Sequence, residues 1–300
     1  MARGALWIIP LLLAFGCAFR SLHASPGDVD PLYRSCVEKC ESTGVIGKSS
    51  IQHCQFPEND TSVENPWYMQ EPLYLQWKQL NCRSDCRYHC MMQREEERQS
   101  LGLSPVKYHG KWPFERVFVF QEPLSAALSA LNLLMHFIGW LSFFLLVNYK
   151  LPLRPQTKRT YYEYTGLWHI YGVLSMNAWF WSFIFHTRDF DLTEKLDYSS
   201  AVALLGWNMT VCVVMAVTQL LAWAIWAGTT RHPSRFKLWT VVIGGALAML
   251  LEVYDFPPYK GYADAHAVWH ATTIPLTYLW WSFIRDDAEL RTAALVKKAK

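Results

Sequence analysis

The sequence predicts an all-α protein: a polytopic bundle of transmembrane helices with a small disulfide-rich luminal domain at its N-terminus. Three observations carry that prediction. The 300-residue chain is 52% hydrophobic and 18% charged, and beyond about residue 120 its apolar residues gather in long runs, the mark of membrane spans. Six of its eight cysteines, Cys36, Cys40, Cys54, Cys82, Cys86 and Cys90, precede the first run. The chain also begins as a secretory signal does. Net charge is +3, too small to argue for a nucleic-acid partner.

Residues 1–24 read as the signal. Arg3 is the positive start and Ala5–Phe19 an apolar stretch too short to span comfortably. Leu22-His23-Ala24 offers a small residue before a cut ahead of Ser25, the alternative being an uncleaved anchor. Residues 25–118 form a polar domain that leans on its disulfides for stability. Its six cysteines point to up to three bridges. Fifteen pairings are open, and the sequence does not choose among them. Cys82, Cys86 and Cys90 stand four apart, on one face of a helix, a spacing that also suits a metal. Asn59-Asp60-Thr61 is a glycosylation acceptor, consistent with a lumen. The run Arg94-Glu95-Glu96-Glu97-Arg98 reads as a solvated helix face.

Spans follow at 122–147, 165–186, 197–227, 237–254 and 266–284. Each is long enough to cross about 30 Å of hydrocarbon at about 1.5 Å per residue. Helices are expected because isolated strands cannot satisfy their backbone in lipid. The loop 148–160 carries Lys150, Arg154, Lys158 and Arg159 without an acid, and 228–238 carries Arg231, Arg235 and Lys237 without one. Both are therefore cytosolic, and loops 187–196 and 255–265 luminal by alternation. Residues 286–300 form a cytosolic tail. Its end, Lys297-Lys298-Ala299-Lys300, resembles a dilysine retrieval signal to the endoplasmic reticulum, the alternative being an ordinary basic tail.

Polar residues inside spans are costly and default to function. Ser182 and His186, four apart, share a face at the end of the second span. His266 and His270 do the same at the start of the last, and Asp197 opens the third. The topology puts all five at luminal depth. Three imidazoles with an open fourth position are the catalytic arrangement for Zn²⁺. Such an ion lowers the pKa of its water to about 7. Asp197 is then placed to take the water's proton, and Ser182 to donate to an oxyanion or to orient the water. Asp264, Asp255 or Glu252 is expected to hold a ligand imidazole from behind. His136 and His169, each alone in a span, read as structural. Trp168, Trp269, Trp280 and Trp281 read as interface or packing residues. Asn208-Met209-Thr210 matches a glycosylation acceptor but lies in an apolar run and is discounted.

The pattern Ser182-x-x-x-His186, Asp197, His266-x-x-x-His270 resembles that of the CREST membrane-hydrolase superfamily. Within it the chain is most similar to the post-GPI-attachment lipid-remodelling factors. The shared-looking segments include His109-Gly110-Lys111-Trp112-Pro113-Phe114, Gln121-Glu122-Pro123, Asn177-Ala178-Trp179-Phe180-Trp181-Ser182, Asp255-Phe256-Pro257-Pro258 and Asp264-Ala265-His266-Ala267. The resemblance implies a zinc-dependent phospholipase A2-type hydrolase. It would remove a fatty acyl chain, from the sn-2 position, from the anchor lipid of GPI-anchored proteins in the endoplasmic reticulum or Golgi membrane. By the same resemblance His186, His266 and His270 are zinc ligands and Ser182 and Asp197 catalytic. A non-enzymatic lipid receptor, a cargo chaperone for GPI-anchored proteins and a ceramide amidase are the competing readings. The family has seven spans against five counted here. The 31-residue run at 197–227, about 47 Å as one helix, stands where the family has three helices, as if two passes were missing.

Overall fold

The computed structural model describes residues 25–47, 49–51, 82–189, 191–201 and 209–299. The signal, Cys17, Cys54, Asn59 and Asn208 lie outside these residues, and so does the side chain of Cys212. Among them the chain forms eight helices and one short hairpin: α1 (Pro31–Thr43), β1 (Val45–Ile46), β2 (Ser49–Ser50), α2 (Cys82–Ser100), α3 (Pro123–Leu145), α4 (Thr165–Thr187), α5 (Asp191–Ala201), α6 (Met209–Thr229), α7 (Arg235–Tyr254) and α8 (Ala265–Ala299). They fall into two compact units that divide between Phe114 and Glu115.

In the N-terminal unit, Asp30 starts α1 by accepting from the Leu32 N–H, and Pro31 presets the first helical φ. Gly44 ends the helix in the left-handed conformation, φ 68°, its N–H returning to Cys40 O. Cys36 and Cys40 lie one turn apart on α1, and Cys86 and Cys90 one turn apart on α2. They therefore pair as two rungs, Cys36–Cys90 and Cys40–Cys86, with Cα–Cα distances of 5.8 and 5.6 Å. Cys82, a turn before Cys86, is disulfide-bonded as well. The four-residue cysteine spacing is thus a helical disulfide face. Tyr33, Ile51 and Tyr108 complete the small core. The charged run 94–98 is not simply a solvated face. Arg94 Nε donates to Asp30 at 2.7 Å, Tyr108 Oη donates to Glu95 at 2.9 Å, and Arg98 donates to Ser104 O. These charges tie α2 to the α1 cap and to the segment after α2.

The second unit is a helix bundle. α3 packs on α4 and α8, α7 on α6 and α8, and α5 on α4. Its apolar core, built on Phe143, Val147, Tyr162, Leu238, Trp281 and Ile284, sits where α3 ends and where the second half of α8 passes. At the α3–α8 crossing a Cβ on Gly139 would lie 2.3 Å from the Trp281 ring, so that contact needs glycine. On α3 the buried residues include the polar Ser125, Ser129, Asn132 and His136 beside Ala126 and Phe143, whereas Leu131, Leu134, Phe137 and Ile138 are exposed. That is the reverse of a helix packed in water.

Of the run expected as a span at 197–227, α5 covers the part up to Ala201 and α6 the part from Met209, and 202–208 lie outside the described residues. One expectation is modified. α8 does not stop at 284 but continues to Ala299. Asp287 explains the continuation, because Tyr162 Oη and Arg291 Nε both donate to it, at 2.6 and 2.8 Å, and Ala288 and Thr292 are buried beside it. By length and composition one described helix, Pro123–Lys150, with mean hydropathy 1.9, is long and apolar enough to cross a membrane.

Candidate metal centre

The connections fix which helix ends meet. α3 begins, α4 ends and α8 begins at the same end of the bundle. There Gln121 and Glu122 close α4, for their N–H groups donate to Thr187 O and His186 O at 3.2 and 3.0 Å. They satisfy carbonyls that the end of a helix leaves open. At the start of α8, Asp264 accepts from the Ala267 N–H at 2.8 Å, an N-cap that lets the helix begin one residue before His266. Burial raises the Asp264 carboxyl above the usual range, against the lowering effect of that hydrogen bond and of His266.

Three imidazoles converge at this junction. His186 Nε2 lies 3.3 Å from His266 Nε2 and 3.2 Å from His270 Nε2, and the last two are 2.9 Å apart. His186 and His270 are 2% and 1% exposed, while His266 is half-buried and opens the cluster to its surroundings. Aromatic rings hold the imidazoles. Trp269 stacks on His266 at 5.6 Å, Trp179 meets His270 edge-on at 5.2 Å, and Phe185 packs on His186. Trp269 is therefore a wall of the centre rather than only an interface residue.

Glu122 supplies what the sequence reading assigned elsewhere. Its Oε2 lies 2.6 Å from His186 Nδ1, and both groups are buried. With the carboxylate accepting from Nδ1–H, the lone pair of His186 Nε2 faces the other two imidazoles. Asp264 and Asp255 were the expected partners. The first is the α8 cap, and the second ends α7 in the left-handed conformation at φ 44°. The Glu252 side chain lies outside the described residues. The available signal for Glu122 was position: an acid directly before a helix-starting proline, at the same predicted depth as the histidines.

A zinc ion fits these residues. Bonds of about 2.0–2.1 Å in a tetrahedral centre place ligand nitrogens about 3.3 Å apart, close to the observed triangle. Three histidines, no cysteine and a half-exposed edge are the donor set of a centre with a free position. Among the described residues this is also the group of metal-capable side chains within ligand range of one another.

Ser182 lies one turn before His186 and is buried, its Oγ 3.1 Å from Ser129 Oγ. Asn132, three residues after Ser129, donates to His270 O at 2.9 Å and accepts from Thr273 Oγ1. Neither Ser129 nor Asn132 was singled out from sequence, although their spacing with Ser125 and His136 makes a polar stripe through an apolar run. Asp197 is half-buried on α5 and is not one of the three converging groups. Its neighbour Tyr198 packs on Phe185, beside His186. His136 accepts from the Trp281 indole and His169 from that of Trp140, the packing roles expected of lone histidines.

The Per1-like family model matches residues 72–206 and 205–288. A Xenopus tropicalis protein named GPI-specific phospholipase A2-like PGAP3 is 32% identical, over 88% of this chain and 91% of its own length. The Mus musculus protein of that name is 31% identical over 96% of each. Drosophila melanogaster Post-GPI attachment to proteins factor 3 is 29% identical over 91% and 92%. The mouse alignment runs over 337 positions, more than this chain has residues, so the relative carries residues without a counterpart here. The two pieces of the family match meet at 205–206, between α5 and α6. No solved structure matches the chain.

Proposed function

The chain belongs to the Per1-like family, and from that premise we propose that it is a multi-pass membrane hydrolase that remodels GPI-anchor lipid. Its substrate is the phosphatidylinositol of GPI-anchored proteins. Its reaction is hydrolysis of an acyl ester, at the sn-2 position, giving a free fatty acid and a lyso lipid. The observation that carries the reading is the convergence of His186, His266 and His270 Nε2 atoms within 3.3 Å of one another. The names of the relatives supply the substrate class.

The membrane reading rests on the inverted pattern of α3, polar within and apolar without, repeated in exposed Leu167, Ile170 and Val173 of α4 and Ile243, Leu247 and Leu250 of α7. Helices of 20–23 residues measure about 30–35 Å, the thickness of a hydrocarbon core. Loops 148–160 and 228–238 are cytosolic by their charge, so the centre lies in the luminal leaflet, in the endoplasmic reticulum or Golgi. GPI anchors sit in that leaflet. The family match that breaks at 205–206 supports an interval shortened by two passes, which leaves the ligand-bearing helix ends on one side.

Zinc supplies Lewis acidity and lowers the pKa of its water to about 7. His186, His266 and His270 would hold the ion. Glu122 fixes His186 in the tautomer that presents Nε2. Asp197, from α5, receives the proton of the attacking water and returns it to the departing alkoxide. The aromatic wall of Trp179 and Trp269 excludes bulk water from the buried side. The half-exposed His266 edge admits the ester.

The test uses cells lacking the protein, complemented with the parent chain or with His266→Ala. The parent should carry zinc and restore the lyso or remodelled acyl composition of GPI-anchored proteins. His266→Ala should do neither. Unchanged zinc content together with unchanged acyl composition in His266→Ala would overturn the proposal.

A further inference from the structure

Among the described residues Ser182 has one hydrogen-bond partner, Ser129, and that partner dictates what the serine can do. Ser129 Oγ donates to Ser125 O at 2.8 Å, and Ser129 and Ser182 Oγ atoms lie 3.1 Å apart. Ser129 is fully buried and Ser182 is 8% exposed. A hydroxyl has one proton and two lone pairs. With the Ser129 proton directed to the Ser125 carbonyl, the bond between the serines is satisfied by Ser182 as donor and Ser129 as acceptor. The chain then runs Ser182 O–H to Ser129 O–H to Ser125 C=O. Both lone pairs of Ser182 stay available on the α4 face that carries His186 one turn on, about 5.4 Å along the axis. The same stretch of α3 is pinned to α8, since Asn132 donates to His270 O at 2.9 Å. Ser129 thus ties α3 to α4, one turn from where Asn132 ties α3 to α8.

We propose that Ser129 is a positioning residue that takes the Ser182 hydroxyl proton and so holds Ser182 as a hydrogen-bond acceptor at the centre. Resting on the hydrolase reading above, this decides between two roles for Ser182. It accepts from the attacking water and aims a lone pair of that water at the ester carbonyl. It does not donate to the oxyanion, because its proton is committed to Ser129. Stabilising the oxyanion would then fall to the Lewis acidity of a bound ion rather than to the Ser182 hydroxyl.

The experiment has a spectroscopic arm and a kinetic arm on the full chain in detergent. In Ser182→Cys the infrared S–H stretch, isolated as a difference from the parent protein, reads whether position 182 donates. The expected band lies at the lowered frequency of a donating thiol, and adding Ser129→Ala moves it to the free-thiol frequency. A band already at the free frequency in Ser182→Cys, or one that Ser129→Ala leaves in place, overturns the proposal. In the kinetic arm Ser129→Ala lowers the deacylation rate about tenfold with KM and zinc content unchanged, and Ser129→Thr restores it. In a Ser182→Ala background Ser129→Ala has no further effect. An equal loss in that background makes Ser129 merely structural and overturns the proposal. If the parent itself fails to deacylate, the hydrolase reading fails, while the infrared band still decides the direction of the bond.

Discussion

Replacing Glu122 by glutamine tests the centre at the contact that sequence reasoning did not assign. The carboxylate accepts from His186 Nδ1 at 2.6 Å, with the imidazole 2% and the carboxylate side chain 11% exposed. A charge-assisted hydrogen bond of that kind contributes about 1.5–3 kcal/mol. Buried acids behind a ligand imidazole change metal affinity by about 10–100-fold when removed. The two estimates agree, since 1.4 kcal/mol is about tenfold. The substitution preserves side-chain size. It also preserves the main-chain pairing of Gln121 and Glu122 with Thr187 O and His186 O, which uses only backbone N–H groups. The loss should therefore appear in metal binding and not in helix content. Zinc affinity, read by competition with a chromophoric chelator on purified protein, should fall about 10–100-fold in Glu122→Gln. Glu122→Asp keeps the charge and should lose less. Unchanged affinity in Glu122→Gln would refute the claim that Glu122 fixes the ligand tautomer.

Other consequences follow from the same packing. Cys36→Ser with Cys90→Ser opens a loop with a sequence separation of 54 and should cost the N-terminal unit about 2–5 kcal/mol. Thermal unfolding under oxidising conditions measures it, and an unchanged midpoint would count against a structural role for the rung. Gly139→Ala forces a methyl against the Trp281 ring, where it would sit at 2.3 Å. It should destabilise the bundle by about 1–3 kcal/mol, seen as a lower midpoint with zinc stoichiometry retained. The Asp30 carboxyl is opposed by burial, which raises its pKa, but hydrogen bonds from Arg94 and the Leu32 N–H and the Arg94 charge leave it lowered overall. Its contribution is therefore present above the unfolded value of about 3.9 and is lost as pH falls through the lower folded value. Asp30→Asn should flatten that acid limb in a stability-against-pH series, and a limb identical to the parent's would remove Asp30 as its source.

Much of the centre was legible because helical spacing and charge alternation are local properties of a chain. Four-residue spacing put His266 with His270, and Ser182 with His186, on single faces. The polarity of the loops put those faces at one end. Cysteine spacing likewise announced a helical disulfide face, although Cys36–Cys90 and Cys40–Cys86 were two choices among many. What stayed hidden depends on which side chains oppose one another across helices. Asp264 was expected behind a ligand imidazole but caps α8, and Glu122, which was not expected there, lies against His186 because α3 starts against the end of α4. Ser129 was one apolar-run serine among several until Ser182 was found across from it.

By itself, then, the sequence determined three histidines on two helices, His266 and His270 sharing one face, because periodicity is written along the chain. Only the tertiary structure brought their Nε2 atoms within 3.3 Å, set Glu122 behind one of them and placed Ser129 against Ser182. Those are distances and directions between segments far apart in sequence, and they exist only once α3, α4 and α8 pack.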